Sequence, residues 1–351
     1  MDRKRILWSV GTLLFIVALM LIFQMRHAAV PREIEEHRIL MGTLVSLTAF
    51  STDETAAREA IEQAYEEMAR IEAATTRYSP DSGVEAVNNR DPGDEEIHID
   101  LDVSQIVARS MYVSGVSGGA FDVTVAPLVD LWDFDEGATP PDPADVERAL
   151  EHVGYGSIVL HPTSGHLILP LDVRIDLDGI AKGYAVDKAH RMLRTSGAFT
   201  GAIIDAGGDL RFLGEPPNGQ PWRVGIKHPR EDGVLGSVMT DGGSVATSGD
   251  YQHWFEADGV RYHHVLDPAT GYPATGVMSV TVFTERCMDA DAFATAVFVL
   301  GPRRGMRLVE RLDGVEAVIV TGDEVIDEVL LSPGLEGRYQ AADRPANLAA
   351  E

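Results

Sequence analysis

Two stretches of the 351-residue chain carry residue types and spacings that could do chemistry. Residues 261–273, R-Y-H-H-V-L-D-P-A-T-G-Y-P, set His264 and Asp267 three apart and then turn at Asp-Pro and again at Thr-Gly. Residues 289–301, D-A-D-A-F-A-T-A-V-F-V-L-G, set Asp291 and Thr295 four apart at the start of an apolar helix. Residues four apart share one helix face. A hard cation such as Mg²⁺ takes oxygen ligands, often few from protein and the rest from substrate phosphate. Together the two stretches read as a metal-assisted phosphate site. The simpler alternative for Asp291 is a helix cap, although a carboxylate entering an apolar helix is costly to bury unpaired.

Other segments suit phosphate. Residues 175–187, I-D-L-D-G-I-A-K-G-Y-A-V-D, pass from a strand through glycine into a helix. Amides at such a helix start can face an anion, and Lys182 adds a mobile positive charge. The same residues fit a plain strand–helix turn with one exposed lysine, and the Walker spacing is absent. Residues 204–210, I-D-A-G-G-D-L, put Gly207 and Gly208 after a strand, where the backbone can approach closely or take positive φ. Residues 246–251, A-T-S-G-D-Y, offer the hydroxyls of Thr247 and Ser248. Polar turns account for both segments equally well.

Several chemistries are disfavoured. His263 could add a second imidazole beside His264, but zinc wants three or four ligands, and neither H-E-x-x-H nor paired cysteines occur. Gly115-Val116-Ser117-Gly118-Gly119 has the form of a nucleophile elbow. That elbow needs a strand before it and a helix after it, whereas a helix precedes here, so Ser117 reads as part of a glycine turn. No G-x-G-x-x-G dinucleotide fingerprint is present.

The elements that must position these residues follow from periodicity and punctuation. Residues 39–50 read as a strand. The capping box at 51–54 opens a helix with Ala57, Ile61, Ala64, Met68 and Ile71 on one face, ending near Thr75. Residues 103–113 predict a helix that Gly115 can end, and 120–125 a strand-like segment. Residues 133–143 predict a loop, 145–152 a short helix, 157–160 with 166–169 a hairpin, 173–177 a strand and 181–195 a helix. Strands are expected at 202–205, 222–226, 243–247, 277–283 and 315–321, and helices at 290–300 and 303–312. Clustered strands with long helices predict an α+β fold.

An apolar fraction of 45% over this length is ample for a sizeable core. A formal charge of −26 repels nucleic acid and anionic lipid, so no nucleic-acid role is expected. An anionic substrate must then be met by a local device such as a metal or a helix N-terminus. The single cysteine, Cys287, rules out an internal disulfide. After a basic flank at residues 1–5, residues 6–25 form an apolar run long enough to cross a bilayer as a helix. The flank places it in the inner membrane with the rest of the chain on the periplasmic side. A cleaved signal peptide is the rival, but the run is long for one and the following His27-Ala28-Ala29 makes a poor cleavage site. Residues 26–37 are read as a tether, 38–332 as the globular domain and 333–351 as a polar, frayed tail.

Taken in order, the motifs resemble the ApbE family of FAD:protein FMN transferases. The resemblance runs over residues 38–330 through Met41-Gly42-Thr43, the 77–88 stretch, and G-G-A-F-D-V-T-V-A-P-L-V-D-L-W at 118–132. It continues through the 175–187 segment, G-G-D-L, A-T-S-G-D-Y, H-V-L-D-P-A-T-G-Y-P and D-A-F-A-T. Asp178 stands where the family pattern has glycine. The resemblance implies mixed, largely antiparallel sheets with packed helices. It also implies FAD as substrate, Mg²⁺ as cofactor, and FMN transfer to a Thr or Ser hydroxyl of a partner protein with release of AMP. That partner is expected to be a subunit of a membrane redox complex, such as the sodium-pumping NADH:quinone reductase or the Rnf type. By the same resemblance Asp291 and Thr295 hold the metal with carbonyls at Gly179 and Ala294. His264 is the base or orients the acceptor hydroxyl. Asp122, Thr124, Lys182, Gly207, Gly208, Thr247 and Ser248 shape the nucleotide pocket, and Met41 packs on the flavin ring. FAD hydrolysis to FMN and AMP, and flavin binding without turnover, are the alternatives.

Overall fold

The computed structural model describes residues 30–342 except Pro92 and Glu136. The expected membrane anchor at 6–25 and the far end of the expected tail lie outside the described residues. Among the described residues no helix is long and apolar enough to cross a membrane.

The first strand expectation resolves into a hairpin, β1 (Arg32–Leu40) and β2 (Thr43–Ser51), so the tether is shorter than expected. Met41 and Gly42 take positive φ, 52° and 71°, and fold the chain back between them. Helix α1 (Glu54–Thr75) buries all five residues of its expected face. Its cap is Asp53, whose carboxylate accepts from Ala56 N at 3.1 Å, not Ser51 as the capping box implied. Next come α2 (Gly83–Asn88), β3 (Glu96–His98) and α3 (Leu101–Ser117), which runs through Gly115 to a left-handed Gly118.

Residues 120–125 are not strand-like. Asp122 accepts from the amide and hydroxyl of Thr124, at 2.9 and 2.7 Å, and closes a 3-10 turn that leads into α4 (Ala126–Val129). After α5 (Pro143–Leu150), strands β4 (Val159–His161) and β5 (His166–Ile168) make the expected small hairpin. The strand expected at 173–177 is absent as a ladder member. The side-chain amide of Asn88 takes the place of a partner strand: it donates to Ile175 O at 2.9 Å and accepts from Ile175 N at 2.7 Å.

Helix α6 (Asp178–Ser196) is followed by β6 (Gly201–Ala206), β7 (Asp209–Gly214), β8 (Trp222–Lys227), β9 (Val234–Thr240) and β10 (Ser244–Gly249). A short hairpin, β11 (Trp254–Ala257) and β12 (Val260–His263), precedes β13 (Val277–Thr284). Helix α7 (Cys287–Val309) breaks at Gly301, φ 74°, just before Pro302, so the two expected helices abut at a kink. Strands β14 (Glu316–Gly322), β15 (Ile326–Leu331) and β16 (Tyr339–Ala341) finish the described chain. The tail is therefore ordered beyond residue 333: Tyr339 pairs with Val238.

Eight antiparallel strands form the main sheet in the order β1-β2-β6-β7-β10-β13-β14-β15. Its faces divide by the two-residue period of a strand. Ala317 and Ile319 of β14 face the core shared with α1, α3, α6 and α7. Val318 and Val320 face the opposite core beneath the small sheet β16-β9-β8. A third cluster around Trp132, Leu128, Val146 and Leu266 ties the β12–β13 loop to α4 and α5. The α+β fold with antiparallel sheets and packed helices is as expected.

Candidate active site

Helices α6 and α7 meet at their N-terminal halves, and glycine permits it. A Cβ on Gly183 would stand 2.7 Å from Cys287 C and 2.8 Å from Met288 N, so only a residue without a side chain fits. The contact brings Gly183 N within 2.9 Å of Asp291 Oδ2, to which it donates. In a regular helix that amide serves the carbonyl four residues back, here Gly179. Asp291 competes for the same hydrogen and leaves the Gly179 oxygen with acceptor capacity. One turn further along α6, Asp187 caps α7: its carboxylate accepts from Cys287 N at 2.8 Å and Met288 N at 3.2 Å, and pairs with Arg211. Glycine and aspartate four apart on one helix face thus fix both the distance and the direction of α7.

The carboxylates here outnumber their cations. Lys182 Nζ lies 2.6 Å from Asp209 Oδ2 at the start of β7. Burial opposes the charge on Lys182, but Asp209 and then Asp291 outweigh it and keep the ammonium protonated. Burial first, then Asp291, pushes Asp209 up to about 8 despite Lys182. Asp178 is also pushed upward, by desolvation and then by Asp176, although its side chain is open to water, which blunts the effect. Beneath it, the buried Asp176 accepts from Asp178 N at 2.8 Å and faces Arg77 at 3.6 Å.

Hydroxyls line the other side. Thr295 Oγ1, one turn along α7 from Asp291, lies 3.3 Å from Ser248 Oγ on β10, and Thr247 Oγ1 lies 2.8 Å from Thr281 Oγ1 on β13. Gly179 is within the same cluster: a Cβ there would be 3.8 Å from Thr295 Oγ1 and 3.2 Å from the Phe121 ring. At the same end of the sheet the β6–β7 turn at Gly207-Gly208 abuts the β1–β2 turn. Gly207, φ 64°, leaves room for Thr43, whose Cβ a side chain would meet at 3.1 Å. Met41, in that first turn, is half-buried and donates its amide to Glu72 at 2.7 Å.

His264 follows β12. Burial, then His253 and His263, lowers it to about 4, and Lys182 adds to the shift, so the imidazole is neutral near pH 7. Its Nδ1 is buried without a hydrogen-bond partner among the described residues. His263 is different: Nε2 donates to Ala274 O at 2.9 Å while Nδ1 accepts from Val265 N at 3.3 Å. Both of its nitrogens serve the loop, so it supplies no second free imidazole. Asp267 likewise shapes a turn, accepting from Ala269 N at 2.9 Å through its side chain and from Gly271 N at 2.8 Å through its carbonyl.

The structure thus gathers Gly179, Lys182, Ser248, Asp291 and Thr295, with Ala294 beside the last and Thr247 beside Ser248. Met41, Gly207 and Gly208 sit together in paired turns. Asp122 and Thr124 bond to the loop beside them: Thr124 is fully buried, accepting from Gly154 N at 2.7 Å, and Asp122 Oδ2 accepts from Tyr155 N at 2.8 Å. They brace the loop that rests Phe121 on Gly179. Gly183, Asp187 and Asp209 were missed as site residues by sequence reasoning, though the four-residue spacing of Gly183 and Asp187 is a readable signal.

Most of the chain has known relatives. A family model described as the ApbE family matches residues 41–319. The chain is 33% identical over 333 residues to the FAD:protein FMN transferase of Treponema pallidum (strain Nichols), covering 89% of this chain and 90% of that protein. It is 32% identical over 316 residues to the enzyme of the same name from Klebsiella pneumoniae (strain 342), covering 87% and 96%. The crystal structure of the ApbE protein of Thermotoga maritima MSB8 superposes with a TM-score of 0.79 at 32% identity, over 88% of this chain and 99% of that one. The flavinyl transferase ApbE of Pseudomonas stutzeri, apo form, gives 0.78 at 29% identity, over 89% and 98%. The chain belongs to the ApbE family.

Proposed function

We propose that this protein transfers FMN from FAD to a threonine or serine hydroxyl of a partner protein, releases AMP and uses Mg²⁺. The family and the names of its relatives support flavin transfer. The metal is supported by one observation, the excess of carboxylate over cation around Asp291. Burial and then the neighbouring Asp291 raise Asp209 even with Lys182 beside it, and the hydroxyls of Thr295 and Ser248 and the carbonyl of Gly179 supply the oxygen donors a hard ion takes. Asp291, Thr295 and the carbonyls of Gly179 and Ala294 would hold it. When bound, the ion neutralises charge on the pyrophosphate oxygens and on the departing AMP phosphate.

In the reaction the acceptor oxygen bonds to the FMN phosphorus, the bond to the AMP oxygen breaks, and the hydroxyl proton leaves. Lys182 faces the same acidic pocket and can shift its ammonium from Asp209 towards phosphate. The paired turns at Met41-Gly42 and Gly207-Gly208 would offer backbone to the planar part of the substrate. His264 offers a neutral imidazole with an unpartnered nitrogen, suited to receive or orient the acceptor hydroxyl. The acceptor is a subunit of a membrane redox complex, met on the periplasmic side by a domain anchored through residues 6–25.

Incubating the chain with FAD, Mg²⁺ and an acceptor domain should yield a fluorescent, covalently flavinylated acceptor and an equal amount of AMP. A dark acceptor with AMP released would instead make the chain an FAD hydrolase, and intact FAD would make it a flavin-binding protein.

A further inference from the structure

Away from this site, three histidines line up across the small sheet of β3, β5 and β4. His98 stands opposite His166 in one antiparallel pair, and His161 stands opposite His166 in the other. Directly opposed residues point to the same face, so the imidazoles form one row with His166 in the middle. That face is the solvent side: all three histidines are exposed, while Leu167 on the reverse face is fully buried. The rings of His98 and His166 already meet edge-on, with centroids 5.5 Å apart and planes at 79°. Glu96 joins them, its Oε1 2.7 Å from His166 Nδ1.

We propose that this row binds a transition-metal ion of the zinc type, with His166 at its centre. Opposed residues in a sheet have Cβ atoms about 4.5–5.5 Å apart, which lets neighbouring imidazoles reach one ion at about 2.0–2.1 Å. With the Nδ1–H of His166 donated to Glu96, the Nε2 lone pair is free for the ion. This is the carboxylate–histidine pairing that orients metal ligands.

The backbone beneath the row is fixed. Ile99 N donates to Gly165 O at 2.9 Å, and Ser104 Oγ donates to Pro162 O at 3.1 Å. Gly165, φ 70°, lacks the side chain that would press on the His98 ring, whose Cε1 lies 3.2 Å from the Cβ position. The nitrogens do not yet converge: no group of three or more His, Cys, Asp or Glu among the described residues is assembled around a common point. Exposed imidazoles close that gap by turning about two side-chain bonds. Imidazole nitrogens select a softer ion than the oxygen donors around Asp291, so the two sites sort different metals.

The test is calorimetric titration of Zn²⁺ into the full chain in detergent, with Mg²⁺ saturating. One zinc should bind with micromolar affinity, and binding should weaken by about tenfold or more in His166→Ala and in Glu96→Gln. It should be unchanged in His264→Ala, and zinc should raise the melting temperature of the wild type but not of His166→Ala. Zinc affinity untouched by His166→Ala, or lost in His264→Ala instead, overturns the proposal, as does no uptake at all.

Discussion

Gly183→Ala tests the helix contact on which the site depends. The added methyl would press on Cys287 C at 2.7 Å and Met288 N at 2.8 Å, with the Cys287 oxygen closer still, whereas ordinary contact begins at 3.4 Å. All three are backbone atoms, so no side chain can swing aside. In a close-packed interior the remedy is for α6 and α7 to part by about 1 Å. Overpacking of this kind costs about 1–3 kcal/mol, which for a domain of this size lowers the melting temperature by roughly 2–4 °C per kcal/mol. The shift also carries Asp291 away, because its Oδ2 is held by Gly183 N at 2.9 Å. A misplacement of about 1 Å costs on the order of 10²-fold in rate. Covalent FMN per acceptor against time, measured beside a thermal melt, reads both effects. Wild-type values for both would refute the close contact, and full activity with a lowered melting temperature would refute its role in placing Asp291.

Asp291→Ala should reduce the Mg²⁺-dependent rate by about 10²-fold or more while leaving the melting curve cooperative; an unchanged Mg²⁺ titration rejects it as a ligand. Asp187→Ala removes the cap of α7 and leaves Arg211 without its partner, for a loss of about 2–4 kcal/mol in denaturant melts; a loss within error would mean the cap is dispensable. His190, buried on α6, is lowered to about 4 by desolvation first and then by Arg211 and Arg194, from an ordinary 6.5. The unfolded chain therefore binds a proton that the folded chain refuses, and stability falls as pH drops from 6.5 to about 4, by at most about 3 kcal/mol. His190→Gln should flatten that slope, and an equal slope in both proteins counts against the assignment.

The candidate site was legible where neighbouring residues share one face or one turn. Asp291 and Thr295 on one helix face, paired glycines in turns and a lysine one turn into a helix all declare themselves by spacing. What stayed hidden depends on partners remote in sequence. Asp209 matters because Lys182 reaches it from another element, and Gly183 matters because α7 lies against it. Asp122 and Thr124 sit in a motif of the family pattern, yet their side chains hold a loop together. The strand errors have the same origin. Residues 173–177 have a strand's sequence and a strand's hydrogen bonds at Ile175, but the partner is the Asn88 side chain, which no periodicity can announce. The long strand expected at 39–50 ran through Met41-Gly42, where the turn rests on a positive φ at a non-glycine residue, against its usual preference.

The strand order has a consequence for biosynthesis. Several neighbours in the main sheet are far apart along the chain: β6 docks on β2 across the whole of α1 to α6, and β14 docks on β13 across α7. Long-range pairings of this kind form slowly, since wide loops must close before any contact repays them. The helix bearing Asp291 and Thr295 leaves the ribosome after nearly every other contributor to the cluster. A nascent or prematurely terminated chain therefore carries the paired turns at Met41-Gly42 and Gly207-Gly208 without α7, and the cluster around Asp291 cannot assemble until the polypeptide is almost complete.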